Sequence, residues 1–195
     1  MIDDDTMSEI IAASGNAIDR VYLNGLPLTR FELFKFPNIE TLTLSNLNLE
    51  YLDLAVNSTI REINIRNTVV PSIFWVSGSG SSLRKLTLFE TPISSLLISN
   101  FLGVDYFSSI NSNIDTLHLL GNQFVRVMGF TGSAINTIII RNNKHVGLIF
   151  LSDNNIESID LDTNNSIDHI HLTGNPLLSE TITYLDGLTN LDVSY

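Results

Sequence analysis

One phrase constrains what this chain can fold into more than any other feature. Val146 to Asn175 reads LxxLxLxxN three times: Val146, Ile149, Leu151 and Asn154, then Ile156, Ile159, Leu161 and Asn164, then Ile167, Ile170, Leu172 and Asn175. The phrases follow one another at offsets of ten and eleven residues. Such a period predicts a repeat architecture, in which each unit buries its apolar side only by stacking on its neighbours. The phrase can be tracked back to Ile18, through starts that include Ile39, Ile60, Leu83, Val104 and Phe124. Within each LxL core, apolar residues alternate with variable ones, which is the period of a strand. Two phrases then make one coil of about 21 residues with two short parallel strands. Ten residues between strands leave no room for an ordinary helix. The expected class is mainly β: a flattened, right-handed coil closer to a β-helix in section.

Composition narrows the class further. With 44% hydrophobic and 16% charged residues the chain carries enough apolar material for a core. Its longest apolar runs are too short to span a bilayer as a helix. A formal charge of −11 with only ten basic residues opposes phosphate backbones and anionic membranes, so neither nucleic acid nor membrane insertion is expected. There is no cysteine, hence no disulfide framework, thiolate metal site or cysteine nucleophile. The opening MIDDDTMSEIIAASG lacks the basic and apolar regions of a secretory signal, which implies a cytoplasmic or virion-incorporated protein.

On these residues the chain resembles the leucine-rich repeat family, in particular the short bacterial, internalin-like repeats of about 21 residues. The resemblance covers Ile18 to Val193 and is most specific where the terminal Asn of the phrase is kept, at Asn57, Asn122, Asn143, Asn154, Asn164 and Asn175. It implies that this Asn turns inward and that its amide satisfies backbone groups at the bend. The same slot holds Leu26, Phe36, Leu47, Thr68, Thr91 and Phe101 elsewhere, where an apolar spine is expected in place of the amide ladder.

Residues 1–17 read as an N-terminal capping segment and 18–195 as the solenoid. Thr6 with Glu9 forms a capping-box pattern, predicting a helix from about Met7 to Ser14 that lids the first coil. Three stretches disturb the rhythm: SGSGSS at 77–82, which adds about two residues; GVDYFSSINSN at 103–113; and LSETITYLDG at 178–187, read as a turn of helix. The terminal LTNLDVSY ends in a strand core, so the C-terminal edge is a candidate for assembly.

The residue at the centre of each phrase is expected to face outward. On the first face this column runs from Tyr22 to Asp192 with Met128 and Phe150 in its apolar middle, broadened by Val125, Phe130 and Leu148. On the second it runs from Glu32 and Asp53 through Phe74, Leu97, His118 and Ile139 to Asp160. Contiguous apolar patches of this kind mark interaction sites. Met128, Phe130, Leu148, Phe150, Phe74, Leu97 and Ile139 are therefore the expected partner-binding residues.

Motifs for catalysis and cofactors are missing: no GxSxG, HExxH, P-loop, dinucleotide or EF-hand pattern occurs. His169 and His171 face one way with Asp192 a coil further on, too few ligands for a metal centre. No cofactor is expected. The function expected is a non-enzymatic protein-interaction module presenting a rigid repeat surface to a protein partner or to itself. A structural or adhesion subunit of a virion or bacterial surface assembly is the alternative. A carbohydrate-active β-helix enzyme, using Glu32 and Asp53 on adjacent coils, is the second.

Overall fold

The computed structural model describes residues 4–53, 59–70, 73–77, 82–161, 166–176, 182–183 and 190–192. Helix α1 (Asp4–Ser14) leads into a short 3-10 turn at Gly15–Ala17. Strands β1 (Arg20–Asn24), β2 (Arg30–Glu32), β3 (Thr41–Ser45), β4 (Tyr51–Asp53), β5 (Glu62–Arg66) and β6 (Ile73–Ser77) follow. Next come β7 (Lys85–Phe89), β8 (Ser95–Ser99), β9 (Val104–Ile110), β10 (Thr116–Leu120), β11 (Phe124–Thr131) and β12 (Thr137–Arg141). Last are β13 (His145–Phe150), β14 (Ser158–Leu161), β15 (Ile167–His171), β16 (Ile182–Thr183) and β17 (Asn190–Asp192).

The odd-numbered strands form one nine-stranded sheet in chain order, and β6 to β16 form a second, six-stranded sheet. A small third sheet pairs β2 with β4. Consecutive phrases therefore alternate between sheets, and within each sheet every pairing is parallel and joins equivalent strands of neighbouring coils. Among the described residues β4 and β6 are not paired, which separates the small sheet from the six-stranded one. This is a parallel β solenoid, with the two long sheets running side by side for about six turns.

The alternation LxL explains the burial. In β3, β5 and β7 the Leu and Ile residues are buried and the residues between them are half-buried or exposed. Leu151, Leu161 and Leu172, the leucines of the repeated phrase, all belong to one core cluster that runs from Met7 to Leu172. Each coil turns its corner on a residue in the left-handed region: Gly25, Asn46, Asn67, Glu90, Asn111, Gly132, Asp153 and Gly174 after the nine-stranded sheet. Asn and Gly suit that conformation, and here the corners also bond to one another. Asn46 donates its amide to Asn24 Oδ1 and Asn67 donates to Asn46 Oδ1, both at 2.7 Å.

Inside the corners the amide ladder is built. Asn143 Oδ1 accepts the backbone N–H and the side-chain amide of Asn122 at 3.0 and 2.8 Å, while its own amide donates to the Leu119 and Arg141 carbonyls. Asn154 donates to the carbonyls of Phe130 and Leu151, and Asn175 to those of Leu151 and Leu172. The expected apolar spine of the first half is only partly realised. Leu47, Phe36 and Phe101 are buried as expected, but Thr68 and Thr91 donate to the Arg66 and Ile65 carbonyls, and Ser112 and Ser133 do the same further on. A hydroxyl thus replaces the amide in the middle coils. Asn57 and Asn164 lie outside the described residues.

The start of the chain differs from the expected capping box. Helix α1 begins at Asp4, three residues earlier, so Thr6 lies in its first turn. The Asp4 carboxylate instead accepts the Thr29 N–H at 3.1 Å and the Thr29 hydroxyl at 2.6 Å, tying the helix to the solenoid. Met7 packs into the core. Of the disturbed stretches, 103–113 holds a seven-residue strand, β9, in register with both neighbours, but its burial does not alternate, in keeping with its poor LxL core. Within 178–187 only Ile182–Thr183 is described, and it is a strand pairing with β14, not helix. Of LTNLDVSY, only Asn190–Asp192 lies within the described residues.

Candidate functional site

Registers place the outward rows. On the nine-stranded sheet the central row is Tyr22, Thr43, Asn64, Thr87, Ser108, Gly129, Phe150, His171 and Asp192, each the Cα partner of the next. Gly129 stands where Met128 was expected. The expected surface role of Met128 and Phe130 is corrected: they are 0% and 1% exposed, within the core, as is Val125. The reason is a one-residue slip, which turns every side chain of a strand to the opposite face. Counting 21 residues from Val104 reaches Val125, and another 21 reaches Val146, so Val125 rather than Phe124 is the inward start of this phrase. Phe124 consequently lies outside, 39% exposed.

On the second sheet, Leu97, His118, Ile139 and Asp160 share a row as expected, with Leu97 and Ile139 half-buried. The row continues through Trp75, not Phe74, because Phe74 pairs with the inward Leu96. The side chains of residues 73–77 lie outside the described set. The extra residues expected near SGSGSS account for the shift: Trp75 pairs 22 residues on, with Leu97, and Arg66 pairs 23 on, with Phe89.

The nine-stranded sheet carries the denser surface. Tyr106, Phe124 and Phe150, on β9, β11 and β13, are exposed at 38, 39 and 39%. Val127 and Leu148, half-buried, lie in the row that joins Tyr106 to His169. Phe124 stacks on His145 at 5.3 Å and 10°, and Phe150 stacks on His171 at 4.8 Å and 11°. His145 Nε2 lies 3.4 Å from the Asp168 carboxylate. Each stack joins neighbouring coils, so the ring faces are turned toward each other rather than spread as a platform.

Two glycines shape the surface between these rings. A Cβ at Gly129 would meet nothing within 4 Å, so a notch opens in the row beside Phe150. A Cβ at Gly147 would lie 2.4 Å from the Arg126 carbonyl oxygen. Only glycine lets the backbones of β11 and β13 approach so closely there, and their register skips that pair. Of the expected binding residues, Phe150 and Leu148 belong to this surface. Phe124, Tyr106, His145 and the Gly129 notch were missed, and constant 21-residue counting was the signal that would have found them.

Elsewhere the chain offers less. A cavity of about 430 Å³ beside α1 is lined by Asp4, Arg30, Phe31, Glu32 and Lys35 among others. Glu32 and Asp53 are register partners as expected, but the Glu32 carboxylate is held in an ion pair with Lys35. Arg30 lies over the Tyr51 ring at 5.1 Å. Among the described residues no group of three or more His, Asp or Glu could hold a metal ion, and no helix is long and apolar enough to cross a membrane.

No match was found when the chain was compared with protein-family models, with curated proteins and with solved structures.

Proposed function

We propose that this protein is a non-enzymatic binding module of leucine-rich-repeat kind, which presents the aromatic face of its nine-stranded sheet to a protein partner. One observation carries the reading: Tyr106, Phe124 and Phe150 are exposed on three consecutive strands, around an open glycine notch. Rigid aromatic side chains supply contact area at low ordering cost, and interfaces are enriched in them. Stacking fixes Phe124 and Phe150 before any partner arrives, which lowers that cost further. The inward ladder of Asn122, Asn143, Asn154 and Asn175 supports the family resemblance, and the anchoring of α1 through Asp4 and Met7 supports its role as an N-terminal cap.

The test compares affinity capture by the unaltered chain with capture by Phe150→Asp and Gly129→Glu. Both substitutions fall on the outside, so folding should be unaffected while the partner is lost. Partner retained equally by all three proteins would overturn the proposal. Met128→Asp makes the contrast: a carboxylate forced into the core should cost on the order of 4 kcal/mol and unfold the molecule, read by circular dichroism. Self-association that disappears with Phe150→Asp would instead favour a structural subunit that uses the same face.

A further inference from the structure

Three of the four histidines stand on this one surface: His145 on β13 and His169 and His171 on β15. Two are stacked on phenylalanines, and a protonated imidazole over an aromatic face is a cation–π pair. His145 also faces Asp168 at 3.4 Å. The other charged groups around the rings are Asp105 on β9, Arg126 on β11 and Lys144 just before β13, with Asp192 on β17 the register partner of His171, and Lys85 on β7, the register partner of Tyr106, held in an ion pair with Glu62. Tyr106 is the titratable neighbour on β9. With the Lys85–Glu62 pair cancelling, two cations stand against three carboxylates while the imidazoles are neutral. Three imidazolium charges reverse the sign of the surface, in a chain whose acids outnumber its bases 21 to 10.

Resting on the binding role argued above, we propose that this surface takes an acidic, carboxylate-bearing segment of a protein partner, and takes it more tightly as imidazole gains its proton. Imidazole changes charge between about pH 5 and 8, and its protonated form offers two N–H donors to carboxylates. Glu and Asp remain ionised over most of that range, so a partner keeps its charge while the surface acquires the opposite one. The Gly129 notch seats an apolar side chain of the same segment beside Phe150.

The experiment follows fluorescence anisotropy of a labelled peptide of alternating Glu and Leu on the whole chain, near pH 7.5 and near pH 5.5. Affinity should rise about tenfold at the lower pH, the sum of a few exposed charge pairs. A triple variant, His145→Asn with His169→Asn and His171→Asn, should bind more weakly at the higher pH, since the stacks that fix Phe124 and Phe150 are lost. Its affinity should show no rise between the two pH values, with an unaltered circular dichroism spectrum. A peptide with Gln in place of Glu should bind without the rise. An equal rise in the triple variant would overturn the proposal. So would an equal rise for a sulfated polysaccharide, or pairing of two copies near pH 5.5 without peptide. Should the Gln peptide bind better than the Glu peptide, with Phe150→Asp abolishing both, the surface stands and the acidic partner does not. Should Phe150→Asp change neither, the binding surface itself is wrong.

Discussion

Asn143 does the work of several backbone groups at once. Its side chain satisfies the Asn122 N–H, the Asn122 amide and the carbonyls of Leu119 and Arg141, in bonds that are buried except for the half-buried one to Arg141. Asn143→Ala would take the acceptor from the buried Asn122 N–H and one bond from each of the other groups, and a loss of about 3 kcal/mol is expected from denaturant unfolding. Hydrogen exchange should quicken first at the Asn122 N–H. Gly147 is required for a different reason. An added methyl would press on the Arg126 carbonyl, so Gly147→Ala should cost about 2 kcal/mol by forcing β11 and β13 apart. Neither cost follows from side-chain size alone; both follow from what the neighbouring coil places opposite.

Pairs of strands share charges as well as hydrogen bonds. Glu62 on β5 accepts from Lys85 on β7 at 2.7 Å and from Asn64 at 3.0 Å, and these bonds, Lys85 first, hold its carboxyl below the ordinary range. A depressed folded pKa contributes stability that is complete above the unfolded value and is lost as pH falls through the folded one. Glu62→Gln should therefore lower stability by about 0.5 kcal/mol at neutral pH, a small figure because the pair is exposed. Melting curves of the two proteins should converge once pH drops below the depressed value. At this scale the sequence was legible where residues point inward, because Leu42, Ile63, Leu86 and their successors repeat one pattern. It was less legible where a strand is longer than its phrase. In FVRVMGFT, apolar residues occupy both faces, so alternation alone could not tell Phe124 from Val125, and Met128 was placed outside in error. The aromatic and imidazole surface was half readable for the same reason: Phe150 and Leu148 sit in clean phrases, and Phe124 does not. Asp4 could not be read as an anchor for Thr29, since nothing local joins two residues 25 apart.

As a whole the molecule is close to one-dimensional, each coil touching only the coils beside it. Its stability should then scale with coil number, provided the cut respects the period. Removing the 21 residues 115–135 joins Ile114 to Asn136, which then takes the place of Asp115, its equivalent one coil earlier. That shortened chain should fold, with a denaturant slope lower by about a tenth, in proportion to the surface lost. Taking out 20 residues instead would turn β12 and all that follows inside out, and aggregation is the outcome expected by light scattering. The fixed period has a further effect on what can lie against the outer rows. Neighbouring coils set their side chains about 4.8 Å apart, whereas an extended peptide offers successive side chains on one face about 6.7 Å apart. Laid along the solenoid axis, the two graduations coincide only at about every fifth peptide side chain, as on a vernier. A linear guest therefore meets most of its matching contacts by lying along the strands, crossing the long axis.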